Sequence, residues 1–519
     1  MTLTSRHPCD EHLSCADAAA ASTAAQKRWV LAASILGSSL AFVDGTVVNV
    51  ALPAIQRELQ ATVFQAQWVV ESYALLLAAL LLAGGALGDR FGRKRVFLLG
   101  VAVFAAASLA CALSHTVQQL IAWRAVQGVG GALLVPGSLA LISASFAEDE
   151  RGRAFGTWAG FSGITSALGP LLGGYLIDRF SWAWAFAVNV PLAALVLAIA
   201  WARVPESRAP ADRAHLDVPG SVLATLALAG LVYFFIEAPS LGWDAPSVLA
   251  ALAIAVVALV AFLFVERRQA APMLPLDLLR NRNFAGANLL TLLLYAGLGG
   301  SLFFLPLNLI QVQGLSSTAA GAALLPFVAI MFLLSRWAGG LADRMGARLP
   351  LVVGSLLAAA GFGLLALPGT AASYWTGFLP GIAVLGTGMA MVVAPLTSTV
   401  MNAVDKDAAG VASGVNNALS RVAGVLAIAV FGALMAALFQ ARLRSGLEGL
   451  PANVVDAIWQ QRDRLAAITV PDGAPQAAHA AVRQAFVSGY RWIMLASVAL
   501  ALGSAAIAAA WVDRGARPQ

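Results

Sequence analysis

Long apolar stretches alternate with short polar turns along almost the whole chain. Fourteen apolar runs are distinguishable, at 29–53, 66–88, 96–114, 118–146, 153–177, 183–202, 219–237, 246–265, 285–312, 319–342, 349–368, 375–402, 408–440 and 489–512. A helix that crosses a bilayer needs roughly 20 such residues, so the pattern predicts an all-α integral membrane protein with 14 transmembrane helices. Several runs exceed that length, which predicts tilt or extension into solvent. The first 26 residues are polar and Ala-rich, without the apolar core or cleavage site of a signal peptide, and read as a disordered tail.

Composition agrees with many spans rather than one large soluble core. Of 519 residues, 60% are hydrophobic and only 11% charged, against roughly 25% charged in soluble domains. The net charge of +6 would suggest nucleic acid in a soluble chain; here the basic residues sit in short loops, so no nucleic-acid partner is expected. With the N-terminus inside, the cytoplasmic segments hold 21 Lys and Arg, against two, Arg57 and Arg179, in the short outer loops. The long loop 441–488 is discounted because long loops cross largely regardless of charge. Both termini are therefore expected in the cytoplasm, and the protein in the inner (plasma) membrane with lipid as its main solvent.

A repeat organises the spans. Gly85-Ala86-Leu87-Gly88-Asp89-Arg90-Phe91-Gly92-Arg93-Lys94 closes the second run, and Gly339-Gly340-Leu341-Ala342-Asp343-Arg344-Met345-Gly346-Ala347-Arg348 closes the tenth. Glycines permit tight turns and close helix approach, and Asp89 can bond backbone donors while the basic cluster stays on the cytoplasmic face. A parallel repeat of helical bundles characterises one large transporter class. Two six-helix bundles leave two spans over, and the seventh and eighth are the natural insertion. The expected division is a tail to residue 28, a first bundle at 29–202, a linker with the inserted pair at 203–283, a second bundle at 284–512 with outer loop 441–488, and a tail at 513–519.

With these turns, the chain resembles the major facilitator superfamily, whose signature joins the second and third spans in this way. Trp123-Arg124-Ala125-Val126-Gln127-Gly128 is similar to its basic intramembrane motif, and Gly169-Pro170-Leu171-Leu172-Gly173-Gly174 to the motif of its exporters. Val43-Asp44-Gly45-Thr46-Val47-Val48-Asn49-Val50-Ala51-Leu52-Pro53 and Gly410-Val411-Ala412-Ser413-Gly414-Val415-Asn416-Asn417 resemble segments of the 14-span drug:proton antiporters, the EmrB/QacA subfamily. The likeness runs from about residue 29 to 512. One departure is Trp182-Ala183-Trp184, where the subfamily usually has Trp-Arg-Trp. The resemblance implies the major facilitator fold, gating by Gly85, Asp89, Arg90, Gly92, Arg93, Asp343 and Arg344, and an antiporter motif at Gly169, Pro170, Gly173 and Gly174.

Charges inside spans carry most of the expected chemistry, because each costs at least ~2.5–3.5 kcal/mol at the bilayer centre without a partner, water or a task. They are Asp44, Glu71, Arg124, Arg336 and Arg421. For Arg124 the resemblance implies proton coupling; the alternative is a structural pair with an acid on a neighbouring helix. Desolvation would favour the neutral form of Asp44 and a nearby guanidinium its charged form, and the sequence leaves that balance open. Glu71 lies between Trp68 and Tyr73, where it could hold a lipophilic cation by charge and cation–π attraction; the alternative is a solvated acid near the outer interface. Asn49, Asn416 and Asn417 join Glu71, Trp68 and Tyr73 as candidate substrate contacts. Arg336, seven residues before Asp343, is expected to snorkel to the cytoplasmic face.

Other chemistries lack their signatures. There is no phosphate-binding Gly-x-x-x-x-Gly-Lys-Ser/Thr loop, and the five histidines and three cysteines have no metal-ligand or disulfide spacing. The protein is expected to be no enzyme and to need no cofactor or metal, with a proton gradient as its energy source. The expected function is proton-coupled efflux of small amphipathic or cationic molecules, drugs or toxic metabolites, by alternating access. A gradient-driven uniporter or importer and a non-transporting membrane sensor are the alternatives. Loop 441–488 is expected either to cap the transporter or to contact a periplasmic adaptor protein.

Overall fold

A computed structural model describes residues 23–208, 217–269, 272, 274–404 and 409–513. The expectations for the tail up to residue 22, the linker stretch 209–216 and the tail beyond Asp513 lie outside the described residues. Fourteen helices among the described residues are long and apolar enough to cross a membrane. Local sequence explains their ends. Thr23 and Gln26 form a reciprocal capping box at the start of the first span, Ala24–Glu58, and Thr62 with Gln65 repeats it at the helix Val63–Phe91. Gly92 ends that second helix at φ +116°, and Gly346 ends the tenth-span helix Leu325–Met345 at φ +82°. A left-handed residue that favours glycine thus stops the helix in both copies of the sequence repeat.

The packing repeats as the sequence does. In the first bundle the fourth span, Val117–Ser145, packs on the second and on the third, Arg93–Ala112, while the fifth, Glu150–Arg179, packs on the first. In the second bundle the twelfth span, Tyr374–Asn402, packs on the tenth, Ser317–Ala342, and the eleventh, Arg348–Leu365, while the thirteenth, Val411–Gly446, packs on the ninth, Arg282–Val312. The sixth, Trp184–Arg203, and the fourteenth, Gln476–Trp511, hold matching places beside the third and eleventh. The inserted seventh and eighth spans, Val218–Leu241 and Pro246–Arg268, pack on each other, and the seventh lies against the second and thirteenth. It covers one seam between the bundles.

The two ends of the molecule differ. One, the terminal end, carries the starts of the odd spans and the turns at Gly92 and Gly346. The other is capped by residues 447–475, where the 3-10 turn Arg462–Ala467 rests on both bundles and the helix Ala452–Gln460 packs on that turn. Leu465 is buried there at φ +54°, and Arg464 Nη1 donates to Gln60 Oε1 at 2.5 Å. The cap is shorter than the expected loop 441–488, because the last two spans extend toward it. Residues 476–488 are helical; their alternation of alanine with polar residues hid an amphipathic turn beyond the apolar run.

The cross-bundle hydrogen bonds among the described residues all lie in the capped half. Asp178, ending the fifth span, accepts from Ser317 N at 3.1 Å, Thr318 N at 2.8 Å and Thr318 Oγ1 at 2.6 Å. Gln311 Nε2 donates to Gln56 Oε1 at 2.9 Å, and Gln67 Nε2 to the Ile428 carbonyl at 2.6 Å. Toward the terminal end the fifth span stays on the first, with Trp158 Nε1 donating to Ser38 Oγ at 3.0 Å, but its glycine face is open: a Cβ built on Gly152, Gly156, Gly160 or Gly163 would meet nothing within 4 Å. The bundles are closed at the capped end and part toward the terminal end, leaving a cleft.

Candidate functional site

Asp44, Arg124 and three neutral polar residues form one sealed network inside the first bundle. Arg124 Nη1 lies 2.5 Å from Asp44 Oδ2 and 2.8 Å from Gln127 Oε1, and its Nε donates to the Val69 carbonyl at 2.9 Å. Asp44 Oδ1 accepts from Gln127 Nε2 at 2.8 Å and from Asn189 Nδ2 at 3.1 Å. Ser108 Oγ accepts from both amides and donates to the Phe186 carbonyl at 3.0 Å. The guanidinium also stands 4.3 Å from the Tyr73 ring centre. Asp44 is 0% and Arg124 1% exposed. Three donors thus converge on one carboxylate.

Helix geometry explains the gathering. The fourth span approaches the second closely because Gly128 leaves no room for a Cβ against the Tyr73 backbone, which brings Arg124 under the second span. Gln127, three residues after Arg124, lies on the same helical face. On the first span, Gly169 and Gly173 of the fifth span fit against Thr46 and Val47, where any side chain would collide. Small residues four apart let the two helices approach this closely, and Gly174 abuts the Ser317–Thr318 backbone across the bundle boundary.

The second span does not assemble the expected aromatic cation site. Trp68 and Glu71, three residues apart, share one side of the helix, whereas Tyr73 points away from both. Trp68 Nε1 donates to Glu237 Oε1 of the seventh span at 2.7 Å. Tyr73 turns to Arg124 and donates to the Ala41 carbonyl at 3.3 Å. Glu71 is fully buried, and neither carboxylate oxygen has a hydrogen-bond partner; it is not a solvated rim charge. Asn416 is bound to Asn288 and Thr291 of the ninth span, whereas Asn417 is exposed, donating only to the Ser413 carbonyl. The Asn49 Oδ1 is buried without a partner.

At the gating turn Asp89 Oδ1 accepts from Arg93 Nε at 2.8 Å. Glu206, after the sixth span, accepts from Lys94 N at 3.0 Å and pairs with Arg95 at 3.6 Å. Gly85 lies against Pro136, and Arg90 covers the Phe91 ring. Arg344 and Arg336 are exposed; the Asp343 side chain is outside the described residues. Pro170 sits within an unbroken helix, its carbonyl against Gly321 of the tenth span. The roles of Ser108, Gln127 and Asn189 were not legible as chemistry in the sequence; the one available signal was the three-residue spacing of Gln127 from Arg124.

With this geometry in view, the comparisons are direct. The family model of the Major Facilitator Superfamily matches residues 34–428. The chain belongs to the Major Facilitator Superfamily. It is 35% identical over 448 residues to the multidrug resistance protein Stp of Mycobacterium tuberculosis (strain CDC 1551 / Oshkosh), covering 86% of this chain and 82% of that one. It is 35% identical over 407 residues to the tetracenomycin C resistance and export protein of Streptomyces glaucescens, covering 78% and 75%. Among solved structures, a bacterial homolog of the human lysosomal transporter Spinster, inward-facing and unoccupied, matches with a TM-score of 0.64 at 17% identity, over 94% of this chain and 97% of that chain. That likeness establishes the fold. This superfamily member is a transporter and not an enzyme, and its 14 spans fit the 14-span drug:proton antiporter class.

Proposed function

We propose that the protein exports small amphipathic drugs or toxic metabolites in exchange for protons. Its terminal end would face the cytoplasm, both termini inside, in the bacterial inner membrane. The cleft then opens inward to collect substrate, and the closed capped end faces out. The names of the relatives support export of antibiotics, and the positive-inside count supports the orientation.

The observation that carries the coupling is the sealed Asp44–Arg124 pair. A carboxyl group bound by a guanidinium and two amides holds the first, fourth and sixth spans together. Protonation of Asp44 would remove the charge that Arg124 grips and release the first span, on which the fifth span rides through Gly169 and Gly173. The pair thereby links proton occupancy to the relation between the bundles, without a cofactor. Glu71, buried with no partner, suits storage of a proton as the neutral acid, because an unpaired buried carboxylate neutralises rather than persists. Asp89 and Arg93 would serve the switching turn. Residues 447–475 would act as an outer cap, a reading supported by the turn Arg462–Ala467 lying against both bundles.

The test uses inverted membrane vesicles energised by respiration, with tetracenomycin C as probe. Uncoupler-sensitive accumulation in wild type and its loss in Asp44→Asn support the reading. Accumulation that ignores the uncoupler would point to a uniporter, and binding without accumulation to a sensor.

A further inference from the structure

Arg421, like the exposed Arg336, is a spanning charge that the coupling mechanism leaves unused. Its side chain is half-buried, on a helix that five other spans pack against. It has no hydrogen bond or ion pair among the described residues, and Tyr73 of the opposite bundle is the titratable group in its electrostatic reach. On the thirteenth span Asn417, Arg421 and Ile428 fall within about 40° on one face. Ile428 receives Gln67 of the second span, and Asn417 is exposed, so this face looks across the cleft at the first bundle.

No acid answers that cation. The spans packed on the thirteenth are the second, seventh, ninth, twelfth and fourteenth. The ninth, twelfth and fourteenth contain no Asp or Glu, nor does the thirteenth itself. Arg483 and Arg491 of the fourteenth lie in its capped half, with Arg491 donating to the Ala366 carbonyl. Glu237 of the seventh span is held by Trp68. Glu71 of the second is sealed, and Asp44 behind it is consumed by Arg124. A guanidinium left free in a partly desolvated cleft is an acceptor-binding group, able to grip a carboxylate or phenolate through two parallel hydrogen bonds.

We propose that Arg421 is a substrate-recognition residue, and that the cleft selects amphipathic molecules bearing an anionic or strongly hydrogen-bond-accepting oxygen group. This rests on the export reading for its purpose and replaces the cationic cargo expected from Glu71, Trp68 and Tyr73. Asn417, one turn away on the same face, adds an amide beside the guanidinium.

The test is equilibrium binding to the purified full chain in detergent, with two xanthene dyes of similar size and opposite charge, fluorescein and rhodamine 6G, read by fluorescence polarisation. Wild type should bind fluorescein at least tenfold more tightly. Arg421→Gln should lose at least tenfold on fluorescein with rhodamine 6G binding undiminished, which also shows that the variant is folded; Arg421→Lys should recover part of the loss. A wild type with no preference for fluorescein, or an Arg421→Gln variant unchanged for fluorescein or weakened equally for both dyes, would overturn the proposal. Binding in detergent requires no gradient, so its failure leaves proton coupling standing, and loss of coupling in Asp44→Asn leaves this result untouched.

Discussion

Removing both partners of the Asp44–Arg124 pair should cost much less than the sum of removing each alone. In Asp44→Asn the guanidinium stays buried, keeping only two neutral acceptors, Gln127 Oε1 at 2.8 Å and the Val69 carbonyl at 2.9 Å, and the Tyr73 ring. The new amide also brings a donor into a site where Arg124, Gln127 and Asn189 already donate. In Arg124→Gln the carboxylate keeps two amide donors and loses its counter-charge. Breaking a buried pair from one side costs about 3–5 kcal/mol, and the surviving hydrogen bonds put each single variant near the lower figure. The double variant Asp44→Asn/Arg124→Gln leaves no uncompensated charge, so its loss should fall short of the sum by about 2–3 kcal/mol, within the range of coupled neighbours. The assay is unfolding by SDS in mixed micelles, followed by tryptophan fluorescence, for all four proteins. Additive losses would mean that the charges do not compensate one another, and the ionised pair would have to be abandoned.

Other expectations concern different parts of the molecule. Asp89→Asn should impair vesicle transport while membrane abundance stays near normal, because the half-exposed Asp89–Arg93 pair contributes at most about 1 kcal/mol. Gly173→Val should reduce folded protein sharply, since Val47 fills that space, whereas Gly160→Val should leave abundance unchanged because a side chain there meets open space; immunoblots of membranes decide both. Cysteines placed in 89–95 should react only with permeant thiol reagents in whole cells, and cysteines in 447–475 with impermeant ones; the opposite labelling would invert the orientation. Asn189→Leu should weaken transport although no charge is lost, because it strips one of two amide donors from Asp44 Oδ1 and one from Ser108.

What the sequence makes legible here is long-range pattern. Span number follows from runs that each exceed what water tolerates, and the repeat shows because both copies need a glycine where the helix stops, at Gly92 and Gly346. Asp44 and Arg124 stand out since a charge in an apolar run is conspicuous wherever it points. Direction is harder to read. Trp68, Glu71 and Tyr73 sit within six residues, but which neighbour each one meets depends on how the second span is rotated against the fourth, seventh and thirteenth. Gln127, Asn189 and Ser108 carry no charge to betray them, and they converge from spans whose mutual distance no local pattern encodes. Arg421 was visible, whereas its lack of a partner became apparent only once every neighbouring span was placed.

The most direct test of the account is proton-driven transport in proteoliposomes holding wild type or Asp44→Asn, with tetracenomycin C as cargo and an imposed pH gradient. Wild type should concentrate the compound against its gradient. Asp44→Asn should fail to do so yet still exchange labelled for unlabelled compound at equal concentrations on both sides, because the cleft is intact and only the link to protons is cut. Full gradient-driven accumulation by Asp44→Asn would contradict the account.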